Sequence, residues 1–389
     1  MKKYDFDHPV PRENTGSVKY DFRQGYFNRA DVLPMWVADM DFETPDFIVE
    51  AVKKRAEHPV YGYTLRDDAY HQSIIDWVKN RHGWDIEKEW ISFSPGVVPA
   101  VNFAILAYSK PGEGVMVQPP VYFPFFEAIQ TNQRTLIENR LCLKNGRYEI
   151  DFQDMEKKAK NASILLLSNP HNPTGRCFTR DELQKIGEIC LRNHLTIISD
   201  EIHNDLILPG NRHIPMAGIS PEIADITITC IAPSKTFNMA GLSTSSVIIS
   251  NKTLREAFQF ILKRFHIIGG NLFGYAASTA GYRHGAQWVD QLMQYVQHNF
   301  DYLDDFLRRE LPHIKLIRAE GTYLAWIDFR ETGLNDEQIK DKLIFEAGLG
   351  LSHGPIFGAG GEGFQRMNLA APLSTVEEAC RRLKNTFQK

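Results

Sequence analysis

The sequence has few cysteines and no excess of basic charge. Its 389 residues include five cysteines, an odd number without a CxxC pair, which argues against a disulfide scaffold and favours a reducing compartment. Lysine and arginine number 44 against 48 acidic residues, so a nucleic-acid surface built on clustered basic charge is not expected. We therefore expect a cytoplasmic protein that binds small molecules.

Targeting segments and unbroken hydrophobic runs are also missing. The opening stretch, MKKYDFDHPVPRENTG, contains Asp5 and Asp7 and no apolar run, so we expect no secretory signal peptide. The two longest uncharged stretches, 90–109 and 265–282, approach membrane-spanning length but are interrupted by proline, glycine or asparagine. We predict no membrane segment.

Motifs of several common catalytic sites do not occur. The 13 histidines form no HExxH or other close metal-binding pair, and GxSxG and GxxxxGK are absent, so we expect neither a metal nor a nucleoside triphosphate. Residues 358–363 satisfy GxGxxG but lead into the strand-like run FQRMNL, whereas a dinucleotide fingerprint requires a following helix. We interpret this segment as a loop.

The pattern that is present predicts an α/β fold. Between residues 90 and 250, short apolar runs rich in β-forming residues alternate with segments of helical periodicity. Most of these runs are uniformly apolar, as expected for a mostly parallel sheet buried on both faces. The predicted strands are 91–93, 115–118, 164–168, 195–199, 226–231 and 246–250.

Two helices have clear signals, and one of them marks a second domain. Thr179 and Glu182 form a capping box before a helical apolar pattern. A long helix over 288–309 opens a region of mixed strands and helices. We predict a large domain over 47–285 and a smaller domain made of 1–46 and 286–389.

Polar residues follow three of the predicted strands, where ligands bind in open α/β sheets. They are NPHNPTG (169–175), the acidic segment at Asp200 and the lysine Lys235. Taken alone, each has a simpler explanation: a turn, a helix cap and a solvated charge. Together, an amine, a carboxylate and an amide at strand ends are what a pyridoxal phosphate (PLP) site requires.

The motifs NPHNPTG, SDEIH and SKTFNMAGL, in this order, resemble the fold-type-I, aspartate-aminotransferase-like PLP enzymes over nearly the whole chain. Within that superfamily, MWVADMDF (35–42), VYGYT (60–64) and PPVYFPF (119–125) are similar to the MalY/PatB group of cystathionine beta-lyases, or cysteine-conjugate carbon–sulfur lyases. The resemblance implies a mostly parallel seven-stranded sheet between helices, a smaller α+β domain, PLP as cofactor, and a homodimer with shared active sites.

The resemblance also implies roles for residues around the cofactor ring. Lys235 matches the lysine that holds PLP as a Schiff base and then takes the Cα proton. Asp200 matches the carboxylate paired with the pyridine nitrogen, and Asn172 the amide that binds the phenolic oxygen. His203 stands where aminotransferases usually carry a tyrosine for that oxygen, although it could also be a structural histidine.

The cofactor phosphate is expected at the helix start after Gly96, where Val97 and Val98 would present backbone N–H groups near the positive end of the helix dipole. Ser234 could add a hydroxyl. Tyr61 resembles the tyrosine that reaches the phosphate from the neighbouring subunit. Many relatives have an arginine eight residues after the lysine, but this chain has Ser243, so another group would have to compensate.

The remaining predicted site residues bind the ring face and the substrate. Tyr122 resembles the aromatic residue stacked on the cofactor, with a core tyrosine as the alternative. Arg366 matches the arginine that binds the substrate α-carboxylate, with a surface salt bridge as the alternative. Trp36, Tyr122 and Asn172 complete the expected substrate contacts.

Three functions are compatible with these residues. The resemblance favours β-elimination on an L-cysteine thioether such as cystathionine, giving pyruvate, ammonia and a thiol. An aminotransferase would use the same catalytic residues. A non-catalytic protein on the same scaffold would be expected to have lost the lysine or the carboxylate, and both are present.

Overall fold

The computed structural model describes residues 2–267 and 269–388. Its strands, in chain order, are β1 (Leu33–Pro34), β2 (Ile91–Ser94), β3 (Gly114–Val117), β4 (Thr135–Glu138), β5 (Cys142–Lys144), β6 (Arg147–Glu149), β7 (Ile164–Ser168), β8 (Thr196–Asp200), β9 (Thr227–Ile231), β10 (Ser245–Ile248), β11 (Lys315–Leu316), β12 (Leu324–Asp328), β13 (Leu349–Gly350), β14 (Ser352–His353) and β15 (Phe364–Asn368).

Seven of these strands form the central sheet, in the order β2-β10-β9-β8-β7-β3-β4. The pairs from β9 through β4 are parallel, while β10 runs antiparallel to both β9 and β2. The predicted mostly parallel sheet is therefore confirmed. Strand β4 was not predicted, because it is an edge strand whose residues are partly exposed and lack a uniformly apolar pattern.

Helices pack on both faces of this sheet because neighbouring residues of each strand point to opposite sides. Leu166 of β7 joins an apolar cluster with the helices after residue 96 and around residue 260. Leu165 and Leu167 join another cluster with Leu183 and its helix. The capping box of Thr179 and Glu182 is present as predicted.

The α-helices follow one another along the chain as α1 (Val18–Asp21), α2 (Arg23–Phe27), α3 (Asp46–Glu57), α4 (Asp68–His82), α5 (Val97–Tyr108), α6 (Pro124–Thr131), α7 (Phe152–Ala159), α8 (Arg180–Arg192), α9 (Pro221–Asp225), α10 (Pro233–Thr236), α11 (Lys252–Arg264), α12 (Leu272–His284), α13 (Ala286–Glu310), α14 (Asp336–Asp341) and α15 (Leu373–Phe387). The long helix expected over 288–309 is confirmed as α13.

A second sheet lies in the C-terminal part of the chain. Its strands are antiparallel, in the order β11-β12-β15-β14, and α13 and α15 pack against each other beside it. The N-terminal segment joins this region, because β1 pairs with β13. One apolar cluster contains residues from this region and from the predicted large domain, so the boundaries at 46/47 and 285/286 stay a prediction. The glycine-rich segment 358–363 leads into β15, as predicted.

Within residues 2–267 and 269–388, no helix combines the length and the apolar character needed to cross a membrane. These ranges also hold no group of three or more histidine, cysteine, aspartate or glutamate side chains arranged to bind a metal ion.

Candidate active site

A narrow cavity lies at the carboxyl end of the parallel strands, where β7 and β8 end and α10 begins. Parallel strands end at the same sheet edge, so residues far apart in sequence meet there. Seven predicted site residues line the cavity together with Ala38, Ser168 and Ile202; these seven are Val97, Val98, Tyr122, Asn172, Asp200, His203 and Lys235.

Lys235 lies in α10 and points its amine into this cavity. Its Nζ donates a hydrogen bond to the backbone oxygen of Ala38. Burial of the amine lowers the pKa of Lys235 to about 8, although Asp39 and Asp200 favour the charged form. About one tenth of the amine is therefore neutral at pH 7, far more than for an ordinary lysine, and this form can act as a nucleophile or a base.

Asp200 is the last residue of β8 and is 4% exposed. Burial raises the pKa of its carboxyl to about 7, while the backbone N–H of Ile202 and the charge of Lys235 act in the opposite direction. A buried carboxylate of this kind gains most from a cationic donor that also lies in the cavity. A protonated ring nitrogen is such a donor.

Substituting Asp200 should change how the stability of the PLP-free protein depends on pH. The pKa of Asp200 is raised in the folded state, so its contribution to stability is largest below about pH 4 and falls as the pH rises towards about 7. In Asp200→Asn this contribution is absent. We expect the variant to gain on the order of a few kcal/mol over the wild type between these pH values, measured by urea unfolding. If the difference in unfolding free energy between Asp200→Asn and the wild type were the same at pH 4 and pH 7, the raised pKa of Asp200 would be contradicted.

Arg366 lies in β15 and is 4% exposed. Its Nη1 donates to Asn172 Oδ1 at 3.0 Å, and its Nη2 donates to the backbone oxygen of Trp36 at 2.9 Å and to Ser352 Oγ at 3.1 Å. Its Nε has no hydrogen-bond partner among the described residues. Burial lowers the pKa of Arg366 to about 10, yet the guanidinium stays charged near neutral pH.

No carboxylate in the described part of the chain lies within 4.0 Å of this guanidinium, so the alternative of a surface salt bridge is wrong. A buried charge without a counter-charge is costly. An anionic ligand group would supply the counter-charge. The bond from Arg366 also fixes the Asn172 amide, because its Oδ1 accepts and its NH₂ group remains available as a donor.

His203 and Tyr122 form the aromatic part of the cavity. His203 is buried, its Nδ1 has no partner among the described residues, and burial lowers the pKa of the ring to about 3. The imidazole is therefore neutral, and His203 is one of the residues that line the cavity. Tyr122 is half-buried and lines the cavity rather than lying wholly in the core.

The residues predicted for the phosphate are only partly brought together. Gly96 caps α5, and Val97 and Val98 at its first turn line the cavity, where helical N–H groups lack intrahelical partners. Ser234 is half-buried beside Lys235 but is not among the lining residues. Tyr61 is 58% exposed and donates to the backbone oxygen of Ala56, away from the cavity.

Ser243, which replaces the arginine of many relatives, is exposed and adopts a left-handed backbone with φ of 45°. It lies outside the cavity lining. The cavity therefore does not use this position, and the start of α5 is the main candidate for holding a phosphate.

Two residues that the sequence did not single out also shape the site. The hydroxyl of Tyr323 donates to the Ala38 oxygen at 2.8 Å, so this carbonyl accepts from both Tyr323 and Lys235. Asn368 donates to the backbone oxygens of Val37 and Asp39, and thereby holds the segment that carries this carbonyl. A backbone carbonyl leaves no signature in a sequence, and a tyrosine in an apolar run resembles a core residue.

Residues 30–383 match the family model of aminotransferase class I and II. The chain is 44% identical over 382 residues to cystathionine beta-lyase PatB of Bacillus subtilis, covering 98% of this chain and 99% of that protein. It is 32% identical over 390 residues to protein MalY of Escherichia coli, covering 99% of each.

The crystal structure of cystalysin from Treponema denticola, which contains a pyridoxal 5′-phosphate cofactor, has a TM-score of 0.95 to this chain at 42% identity and covers 99% of each chain. The chain belongs to the aminotransferase class I and II family. Within it, the resemblance to the MalY/PatB group is confirmed by the similarity to PatB and MalY over nearly their full lengths.

Proposed function

We propose that this protein is a PLP-dependent carbon–sulfur β-lyase. It cleaves cystathionine or a related L-cysteine S-conjugate, with one water molecule, to pyruvate, ammonia and a thiol. The observation that carries the proposal is that the half-buried Lys235 and the buried Asp200 line one cavity, beside an Arg366 guanidinium that has no counter-charge among the described residues. The names of PatB and cystalysin support the reaction and the cofactor.

The residues of the cavity fit PLP at each of its polar groups. Asp200 suits the pyridine nitrogen, because its buried carboxylate needs a cationic donor. Asn172 and His203 suit the phenolic oxygen, since each has a polar nitrogen free of other partners among the described residues. The start of α5 at Val97 and Val98 suits the phosphate.

When bound, PLP supplies an electron sink for negative charge that develops at the substrate Cα. Lys235 takes the Cα proton, for which a pKa of about 8 is well matched near neutral pH. Arg366 binds the α-carboxylate and so orients the Cα–H bond towards Lys235. Tyr122 contributes an apolar wall that excludes water from the reacting atoms. The Trp36 indole, predicted to contact the substrate, instead stacks on Tyr26 and lies outside the cavity lining.

The assay that tests this function supplies cystathionine without any keto acid. We expect pyruvate and free thiol to appear in equal amounts, because β-elimination releases both from one substrate molecule. An aminotransferase would instead require a keto acid and release no thiol. Turnover that depends on a keto acid, without thiol release, would overturn the proposal in favour of the transferase.

We also propose that the active unit is a homodimer in which Tyr61 serves the neighbouring cavity. The segment 58–66 is extended and exposes Val60, Tyr61, Tyr63 and Leu65 to 61%, 58%, 113% and 88%. Exposed apolar residues this close together are typical of a surface covered by a partner. A second copy of the chain is the partner that the family resemblance implies.

Charges on this segment should separate the subunits. The double variant Tyr63→Asp and Leu65→Asp buries two carboxylates in the proposed interface, so we expect a monomer in sedimentation velocity and weaker PLP binding. Phe345→Asp is the control, because Phe345 is 54% exposed and lies in the C-terminal region. A wild-type protein that sediments as a monomer would refute the dimer, and a double variant that still dimerises would exclude this segment.

We further propose that the enzyme works in the cytoplasm. All five cysteines are free, and four of them are buried, which suits a reducing compartment. Cell fractionation tests this location. Lyase activity in the cytosolic fraction is the expected result, and activity in the medium would contradict it.

A further inference from the structure

A buried carboxylate is bonded to the residue that follows Lys235. Asp205 is 2% exposed and lies in the loop after β8. Its Oδ2 accepts a hydrogen bond from Thr236 Oγ1 at 2.8 Å. Its Oδ1 accepts from Trp77 Nε1 at 3.0 Å and lies 3.0 Å from His82 Nε2. None of these four residues lines the cavity.

We infer that Asp205 is a positioning residue for the reaction at Lys235. Thr236 follows Lys235 in α10, whereas Asp205 belongs to the loop that follows Asp200 and carries His203. One carboxylate thus ties together the two segments that hold the amine and the ring-binding groups. The inference rests on the proposed function, because it concerns the lysine proposed to carry PLP.

The helix that carries Lys235 needs such an anchor. Helix α10 has four residues, and a single helical turn is not stable by itself. Thr236 is fully buried, and its hydroxyl bond to Asp205 connects this turn to the end of α4 through Trp77 and His82. The position of the neighbouring amine therefore depends on that hydroxyl.

The charges around Asp205 keep it ionised. His82 and Arg81 face it from α4, with Arg81 Nε 3.8 Å away. The His82 ring packs against His213, which lies 2.8 Å from Glu201. Burial would raise the pKa of Asp205, but the hydrogen bond from His82 and the charges of His82 and Arg81 lower it below its ordinary value.

Asp205 acts on Lys235 through position rather than charge. The groups that set the pKa of Lys235 besides burial are Asp39, Arg366 and Asp200. A substitution that removes the anchoring hydroxyl without changing any charge therefore separates the two effects. Thr236→Val does this, and Thr236→Ser restores the hydroxyl.

The test compares Thr236→Val, Thr236→Ser and a control, Thr229→Val. Thr229 is a buried threonine of β9 whose hydroxyl has no partner among the described residues. For cystathionine cleavage by the PLP-bound enzyme, we expect Thr236→Val to lower kcat by about 10- to 100-fold through misplacement of the amine. KM should stay within about twofold, because substrate contacts are unchanged. Thr236→Ser and Thr229→Val should match the wild type.

A second readout does not depend on turnover. In the PLP-free full chain, the rate at which a small acylating reagent modifies Lys235 is followed against pH by peptide mass mapping. We expect the pH midpoint of this acylation rate to rise in Thr236→Val towards that of an ordinary lysine, because a less firmly held amine is better solvated. The wild type, Thr236→Ser and Thr229→Val should share one midpoint.

The outcomes separate the inference from the function. If Thr236→Val lowers only the melting temperature and keeps both kcat and the acylation midpoint, Asp205 and Thr236 are merely structural and the inference is wrong. A wild type that neither binds PLP nor cleaves cystathionine would overturn the proposed function. The acylation midpoints would still test the link to Asp205 in that case.

Discussion

Lys235→Ala is expected to lower kcat for cystathionine cleavage by at least about 10³-fold, because both the covalent attachment of PLP and the base at Cα depend on this amine. The remaining cavity residues keep their positions, since the contact of the Lys235 amine is to the Ala38 oxygen. Pyruvate release measures the loss, and the PLP content of the purified variant is determined in parallel.

Two controls make this loss specific. Lys235→Arg keeps a positive charge but cannot attach PLP, so it should be as inactive as the alanine variant. Lys252→Ala removes a lysine whose side chain is 79% exposed, and it should retain full activity. A small primary amine added to Lys235→Ala should restore part of the rate by supplying a base. Retention of more than about one tenth of wild-type kcat by Lys235→Ala would contradict the role of Lys235.

Arg366→Lys is expected to reduce kcat/KM by about 30- to 5,000-fold, the range for breaking a buried, hydrogen-bonded charge pair. An ammonium cannot reproduce the planar donor geometry that a carboxylate accepts from a guanidinium. It would also lose the bond by which Arg366 holds Asn172. Initial rates across cystathionine concentrations give this ratio directly.

The substrate provides the matching test for Arg366. Converting the α-carboxylate of the thioether to an amide removes the proposed partner of Arg366. The wild type should therefore prefer the acid to the amide, and Arg366→Lys should lose most of this preference. Arg330→Lys is the control, because Arg330 pairs with Asp328 and its side chain is 52% exposed. Equal discrimination between acid and amide in the wild type and in Arg366→Lys would assign Arg366 a structural role only.

Much of the fold was predictable because buried parallel strands carry a direct signal. A strongly apolar run such as 164–168 is expected in a strand that is covered on both faces, and the structure places this run inside the sheet as β7, between β8 and β3. The edge strand β4 escaped prediction because one side of an edge is open to solvent. Its short, mixed sequence resembles a loop.

The candidate site was predictable where its polar residues lie at or after the end of a buried strand. Asp200 ends a buried strand, Asn172 lies in the loop after another, and Lys235 follows a third, so one end of the sheet collects all three. The Ala38 carbonyl and Tyr323 could not be predicted, because their contribution comes from contacts between distant segments. The same holds for Asp205, whose bond to Thr236 joins a loop to helix α10 across a separation of 31 residues.

The proposed covalent bond between PLP and the amine of Lys235 can be located by chemical labelling. The PLP-loaded enzyme is reduced with borohydride and digested, and the labelled peptide is mapped by mass spectrometry. We expect one pyridoxyl group per chain, on Lys235, and none in Lys235→Arg. A label on another lysine, or no label in a protein that cleaves cystathionine, would contradict it.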